Sequence, residues 1–269
     1  MSSHRIMVAH EAPLSILEHV SRLTDYDYAL VHLFEKYDSY YKFFEKQLVR
    51  GREVILDNSI FELGKAFDSD KFAGWVLKLK PTYYIVPDVL ENGYETMKSF
   101  DAFCKLYPDL PGLKIGVVQG KTYQELVDCY EYMSEFADYI AISFDYRYYL
   151  DTGLGRTDLE RFTNGRQSFI ADLIADGIWN WKKPHHLLGN SLPQEIGWYH
   201  KVEVFNIRTV DTSNPVTAGL IGLRYAGDLG LKVKPKKKLI EHFEEIPTDS
   251  QMEDINYNIE SYRNIVCPY

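Results

Sequence analysis

Four short stretches of the chain run from an apolar segment into a polar cluster. They are Ile55-Leu56-Asp57-Asn58-Ser59-Ile60-Phe61-Glu62, Ile85-Val86-Pro87-Asp88, Ile115-Gly116-Val117-Val118-Gln119-Gly120 and Thr209-Val210-Asp211-Thr212-Ser213-Asn214-Pro215. Three of them place an aspartate (Asp57, Asp88 or Asp211) where the apolar run stops, and the fourth places Gln119 before Gly120. In a parallel α/β barrel the C-terminal ends of different strands gather around one pocket. Carboxylates collected there could bind a metal, cleave a glycoside, or act on an N-glycosidic bond, one as nucleophile and another as proton carrier. A metal-dependent barrel hydrolase would add histidines at strand ends. Here His185 and His186 begin an apolar run and His32 stands alone near the end of another, a poor zinc set. No metal and no cofactor is expected.

The elements that must position these residues follow from hydrophobic periodicity. Strands are predicted near 5–9, 28–33, 53–57, 83–87, 113–119, 138–143, 185–190 and 203–211. Between them, 69–80 carries Phe72, Trp75, Val76 and Leu79 at helical spacing, and 122–136 carries Leu126, Cys129, Tyr130, Met133 and Phe136. Asp68 or Ser69 would cap the first helix and Thr122 the second. Eight strand–helix alternations predict an α/β fold, a (β/α)8 TIM barrel, over residues 1–231, with a short C-terminal extension over 232–269. An open doubly wound sheet is the alternative, weakened by the lack of a GxGxxG or P-loop motif. The connection from Asp145 to Thr157 is long, and a helix to about Ile178 should follow it. Long loops at a barrel mouth are more often functional than idle.

Composition sets limits. The 269 residues are 45% hydrophobic, enough for a full core, and the formal net charge is −9. That balance argues against nonspecific coating of nucleic acid but permits a local basic patch. Lys232, Lys234, Lys236, Lys237 and Lys238 fall within seven residues, ahead of an acidic stretch from Glu241 to Glu253. Among the 21 tyrosines, Tyr146, Tyr148 and Tyr149 cluster where they could stack on bases. Cys104, Cys129 and Cys267 lie far apart, as buried thiols in a reducing, cytoplasmic setting would. No apolar run has membrane-spanning length, and Met1 to Arg5 passes directly into a strand-like run without a signal-peptide pattern.

In order and content these motifs resemble the tRNA-guanine transglycosylase superfamily. Asp57-Asn58-Ser59-Ile60-Phe61-Glu62 is similar to its Asp-Ser-Gly-Gly-(Phe/Tyr)-Gln segment, and Val118-Gln119-Gly120 to its Val-Gln-Gly. Asp138-Tyr139-Ile140-Ala141-Ile142-Ser143-Phe144 resembles Gly-Tyr-Ala-Ile-Gly-Gly-Leu, and Lys183-Pro184-His185-His186-Leu187-Leu188-Gly189 resembles Lys-Pro-(Arg)-Tyr-Leu-Met-Gly, followed by Pro193-Gln194-Glu195. Asp211-Thr212-Ser213-Asn214-Pro215 looks like the nucleophile segment, an aspartate with proline four residues on. Val204-Phe205-Asn206 also resembles the family's Met-Phe-Asp, which would put Asn206 at the nucleophile and leave the protein inactive. The proline spacing and the strand end favour Asp211. The similarity spans roughly residues 50–216. The family's Cys/His zinc cluster has no counterpart, and Ser59-Ile60 and Ile142-Ser143 replace glycine pairs. These departures suit the divergent phage and bacterial branch that exchanges guanine in DNA for a 7-deazaguanine.

The resemblance implies base exchange without a cofactor. Asp211 would be the nucleophile at C1′ and Asp57 the proton carrier. Asp88 would accept from the guanine N1–H and amine. Gln119 and the Gly120 N–H would donate to O6, while Phe61 and Leu188 sandwich the purine and Ser143, Phe144 and Gly189 complete the pocket. The partners would be DNA, single-stranded or with its guanine flipped, and a free 7-deazaguanine base, in the host cytoplasm if phage-encoded, with a homodimer possible. Arg147, Arg156 and the lysines 232, 234 and 236–238 would meet phosphates. A tRNA substrate, hydrolysis with water as acceptor, and a non-catalytic subunit are the alternatives.

Overall fold

A computed structural model describes residues 5–144, 146–190, 192–226 and 239–266. Eight strands form one parallel sheet: β1 (Met7–Ala9), β2 (Asp27–Leu30), β3 (Val54–Asp57), β4 (Tyr83–Ile85), β5 (Leu113–Val118), β6 (Tyr139–Ser143), β7 (His185–Leu188) and β8 (Ile207–Asp211). Their order is β1-β8-β7-β6-β5-β4-β3-β2, with Met7, Val8 and Ala9 opposite Thr209, Val210 and Asp211. Every strand but the seam pair lies beside its sequence neighbour, so the strand order never reverses as it does in a doubly wound sheet. Asp25, just before β2, bridges the remaining seam. Its N–H donates to the Val8 carbonyl (2.9 Å), and its carboxylate accepts from the Val8 N–H (2.9 Å). The molecule is a nearly closed (β/α)8 barrel.

The strands are buried on both faces by the barrel interior and the helix ring, which is why they read as apolar runs rather than alternations. Val54, Ile55 and Leu56, for example, are fully buried. Most strands are shorter than periodicity suggested, for local reasons. Leu30 ends β2 and Val31–Lys36 coils into a helix. Pro87 offers no amide hydrogen to prolong β4. Glu203, at φ 61°, adopts the left-handed conformation that breaks an extended run, so β8 starts at Ile207 rather than 203.

The helices fall where expected. Asp68 caps Ser69–Leu79 by accepting from the Lys71 N–H (3.0 Å), and Thr122 caps Tyr123–Phe136 by accepting from the Glu125 N–H (3.3 Å). The connection after β6 is less open than its sequence implied. It contains the helix Arg147–Thr152, and Asp158–Ala175 then starts on a capping box between Thr157 and Glu160. Tyr146 and Tyr149 are core residues, and the Tyr146 hydroxyl donates to the Val118 carbonyl. This corrects the expectation that they stack on bases. Two adjacent rings at a loop start here seal the junction between β5 and the long helix.

The C-terminal segment is part of the barrel's outer layer. The helix Asp249–Val266 packs on Asn214–Leu220, where Gly219 admits Ile255 so closely that a Cβ would lie 2.6 Å from the Ile255 nitrogen. Ahead of it, the Phe243 ring sits against Tyr37 and Tyr40, with centroids at 4.9 and 5.4 Å, and its carbonyl accepts from the Leu14 N–H at 3.0 Å. The boundary at residue 231 and the lysines Lys232, Lys234, Lys236, Lys237 and Lys238 lie outside the described residues.

Candidate active site

A cavity of about 540 Å³ opens at the C-terminal mouth, and all eight strands or the residues just after them line it. Glu11 follows β1 and Tyr28 and Leu30 come from β2. Asp57 ends β3, and Asp88 and Gln119 follow β4 and β5. Ser143 and Phe144 close β6, Leu188 and Gly189 close β7, and Asp211 closes β8. Phe61, 43% exposed, stands at the rim. The fold thus brings together every pocket residue expected from sequence except Gly120. Gly120 packs instead under the helix Tyr123–Phe136, where a Cβ would come within 2.8 Å of the Leu126 nitrogen. Its glycine requirement is one of packing, and its N–H is not among the groups lining the cavity.

Asp211 is 6% exposed, and its Oδ1 accepts the Gly189 N–H at 3.0 Å. Gly189 takes φ 67° to present that N–H, a conformation a side chain would strain. Asn206, the competing match, lies before β8 at the opposite end of the barrel. Its side chain donates to the Asn180 and Lys183 carbonyls (2.8 and 3.0 Å) and accepts from Trp179 Nε1 (2.8 Å). Asn206 is a structural clasp remote from the cavity.

Asp88, 3% exposed, is clamped by two amides: Asn58 Nδ2 donates to Oδ1 at 2.8 Å and Gln119 Nε2 to Oδ2 at 2.6 Å. Burial pushes its carboxyl up, and the two amides offset part of that. Gln119 also accepts from the Glu91 N–H through Oε1 at 2.8 Å. Its amide is therefore fixed at both ends, with one Nε2 hydrogen left for a ligand, and its main effect is to orient Asp88. Each Asp88 oxygen keeps a lone pair for a donor in the cavity.

Asp57 is 7% exposed and accepts the Ser59 N–H at 2.8 Å. Ser59 is fully buried at φ 60°, a left-handed conformation costly for a residue with a Cβ. Burial, then the neighbouring Glu62, push the Asp57 carboxyl well above the usual carboxylate range. Burial, then Asp211 and Glu62, do the same to Glu11. Five carboxylates, those of Glu11, Asp57, Glu62, Asp88 and Asp211, line the cavity, and among the described residues no lysine, arginine or histidine does. Such a site holds the Asp57 and Glu11 protons more tightly than ordinary carboxylates would and offers acceptors to a ligand rich in N–H donors. Among the described residues no cluster of three His, Cys, Asp or Glu side chains is placed to share a metal ion.

Sequence reasoning missed two contributors. Glu11 repeats at β1 the pattern of an acid after an apolar run, a signal that was present but hidden by the brevity of the strand. Arg166, from the helix Asp158–Ala175, left no such signal. Its fully buried guanidinium meets Glu195 through two bonds (2.7 and 2.9 Å) and donates to the carbonyls of Ile142, Leu188 and Gly189 (3.2, 3.1 and 2.9 Å). It ties the ends of β6 and β7 together and so sets the Gly189 turn that holds Asp211.

The two expected phosphate contacts that fall among the described residues are not brought to the cavity. Arg147 is exposed and paired with Asp151 (2.9 and 3.0 Å). Arg156 lines a separate groove with Thr157, Trp198 and Lys201. No protein-family model matches the chain, and no curated protein matches it.

Proposed function

We propose that the chain is a base-exchange transglycosylase that replaces guanine in DNA with a 7-deazaguanine through a covalent glycosyl–aspartate intermediate. The observation that carries this reading is the asymmetry of the cavity. Asp211 is held by one oxygen, Asp88 is clamped with lone pairs to spare, and the same cavity holds two carboxyls, Asp57 and Glu11, whose proton affinity burial and neighbouring acids raise well above the usual carboxylate range.

In the proposed reaction Asp211 Oδ2 attacks C1′ as the C1′–N9 bond breaks, and Asp57 gives its proton to the departing base. Asp88 accepts from the N1–H and amine of guanine, which a carboxylate reads as a pair. The 7-deazaguanine then enters the same cleft and its N9 attacks C1′. Its N9 proton returns to Asp57, and the Asp211 ester is released. A purine between Phe61 and Leu188 needs no cation, which agrees with a lining whose charged side chains, among the described residues, are all acidic. The cavity admits a base and its sugar but not a stacked duplex, so the target would be single-stranded or flipped.

Incubation with single-stranded or duplex DNA and a labelled 7-deazaguanine tests this directly. Label in the polymer, equimolar release of guanine and a denaturation-resistant protein–DNA adduct are expected. Free guanine without incorporation would make the chain a hydrolase, and the absence of both would end the proposal.

A further inference from the structure

Asp211 has a second neighbour on Oδ1. His186 of β7 is fully buried, with Nε2 3.1 Å from Asp211 Oδ1, although it is not aligned as a hydrogen bond. Its other ring nitrogen, Nδ1, lies 2.9 Å from the Thr209 hydroxyl, which lies 2.5 Å from the Tyr139 hydroxyl. Thr209 and Tyr139 are each 1% exposed, inside the barrel, and Tyr28 stacks on the imidazole at 5.9 Å with the rings 20° apart.

With one hydrogen on the imidazole, this chain has one arrangement that satisfies every member. Tyr139 O–H donates to Thr209 Oγ, Thr209 O–H donates to His186 Nδ1, and Nε2–H faces the carboxylate. The opposite arrangement would set a bare nitrogen lone pair against a carboxylate oxygen. Catalytic hydrogen bonds are often misaligned before substrate binds and tighten in the complex.

We propose that His186 is a positioning residue for Asp211: Thr209 and Tyr139 direct its Nε2–H at the carboxylate, and with the Gly189 N–H it holds Oδ1 so that Oδ2 attacks. The inference rests on the reading of Asp211 as nucleophile. When Oδ2 bonds to C1′, Oδ1 becomes the ester carbonyl and accepts the same two donors. The carboxylate therefore keeps one orientation through formation and release of the intermediate.

Two measurements separate this inference from the reading beneath it. Nitrogen NMR of histidine-labelled protein reads the His186 tautomer with no substrate present. A protonated Nε2 and bare Nδ1 are expected, and a protonated Nδ1 overturns the inference whether or not bases are exchanged. In the exchange assay, Thr209→Val should lower kcat about tenfold, the worth of roughly one hydrogen bond, with KM for base and DNA unchanged. Thr209→Ser, which keeps the hydroxyl, should stay near the parent. His186→Gln, which restores an Nε2 donor, should exceed His186→Ala. Equal kcat for Thr209→Val and Thr209→Ser, or a loss confined to KM, would refute positioning. If the unaltered protein neither exchanges bases nor forms an adduct, the transglycosylase reading fails, and the tautomer alone decides the His186–Asp211 contact.

Discussion

The two ends of the barrel treat charge in opposite ways. At the N-terminal end three carboxylates meet cations: Asp27 meets Arg52 (2.6 Å), Glu53 meets Arg208 (2.7 Å), and Asp25 meets both Arg5 (2.8 Å) and Arg263 (2.6 Å). At the C-terminal mouth Glu11, Asp57, Glu62, Asp88 and Asp211 share one cavity that no described cationic side chain lines. Paired charges near a surface cost little and contribute modestly. Carboxylates gathered in one cavity repel one another, and such an arrangement persists where it serves a ligand. One end of this barrel spreads its charges into ion pairs, and the other concentrates acids, the arrangement the proposed reaction would use.

The comparison can be broken in order of expected effect. Asp211→Asn should reduce exchange by about three orders of magnitude or more while the unfolding temperature holds or rises. An active Asp211→Asn would remove the nucleophile from the mouth altogether. Arg166→Ala leaves Glu195 buried without its cation and should cost about 3–5 kcal/mol in denaturant unfolding. Arg208→Ala at the other end, where the pair is more than a third exposed, should cost at most about 1 kcal/mol. Equal losses would show that burial does not separate the two pairs. Asp88→Ala should weaken binding of a free 7-deazaguanine about tenfold or more, since a bond to a charged group is worth about 1.5–3 kcal/mol. Unchanged affinity by calorimetry would take base reading away from Asp88.

The smallest effect concerns pH. The folded state binds the Glu11 proton more tightly than the unfolded chain does. Stability is therefore lost as pH rises from the ordinary glutamate range through the raised folded value. Glu11→Gln removes that loss, so its melting temperature should exceed the parent's at about pH 8 and match it at about pH 4. Each 1 kcal/mol recovered corresponds to about 2–4 °C in a chain of this size. A gain at acid pH instead would reverse the sign and disprove the strain at the mouth.

Much of the mouth was legible in the sequence because strand ends are legible. An apolar run that stops on an acid marks both a strand boundary and a mouth position, as at Asp57, Asp88 and Asp211. What could not be read depends on which face of an element turns inward. Arg166 sits in the polar run Thr163-Asn164-Gly165-Arg166-Gln167, which reads as a solvated helix face. It is buried because Gly165 lets the helix approach Tyr149 so closely that a Cβ would lie 2.6 Å from it. Tyr146 and Tyr149 failed in the same way, since ring chemistry is alike in a core and on a surface. Gln119 was found by its motif, but its hold on Asp88 and the Glu91 N–H follows only from the loop conformation.

The strap across the β1–β2 seam has a consequence for the order of folding. The Ser15 hydroxyl donates to the Glu245 carbonyl across 230 residues, and Phe243 seats itself between the elements that follow β1 and β2. Contacts between such distant positions are entropically the last to be rewarded. During synthesis β2 to β7 can pair in turn as they emerge. The β1–β8 ladder and the strap must wait for residues near the end of the described chain. Glu11, Asp211 and Phe243 then meet only in the closing step, and a partly made chain holds Asp57 and Asp88 in a cavity that still stands open to water.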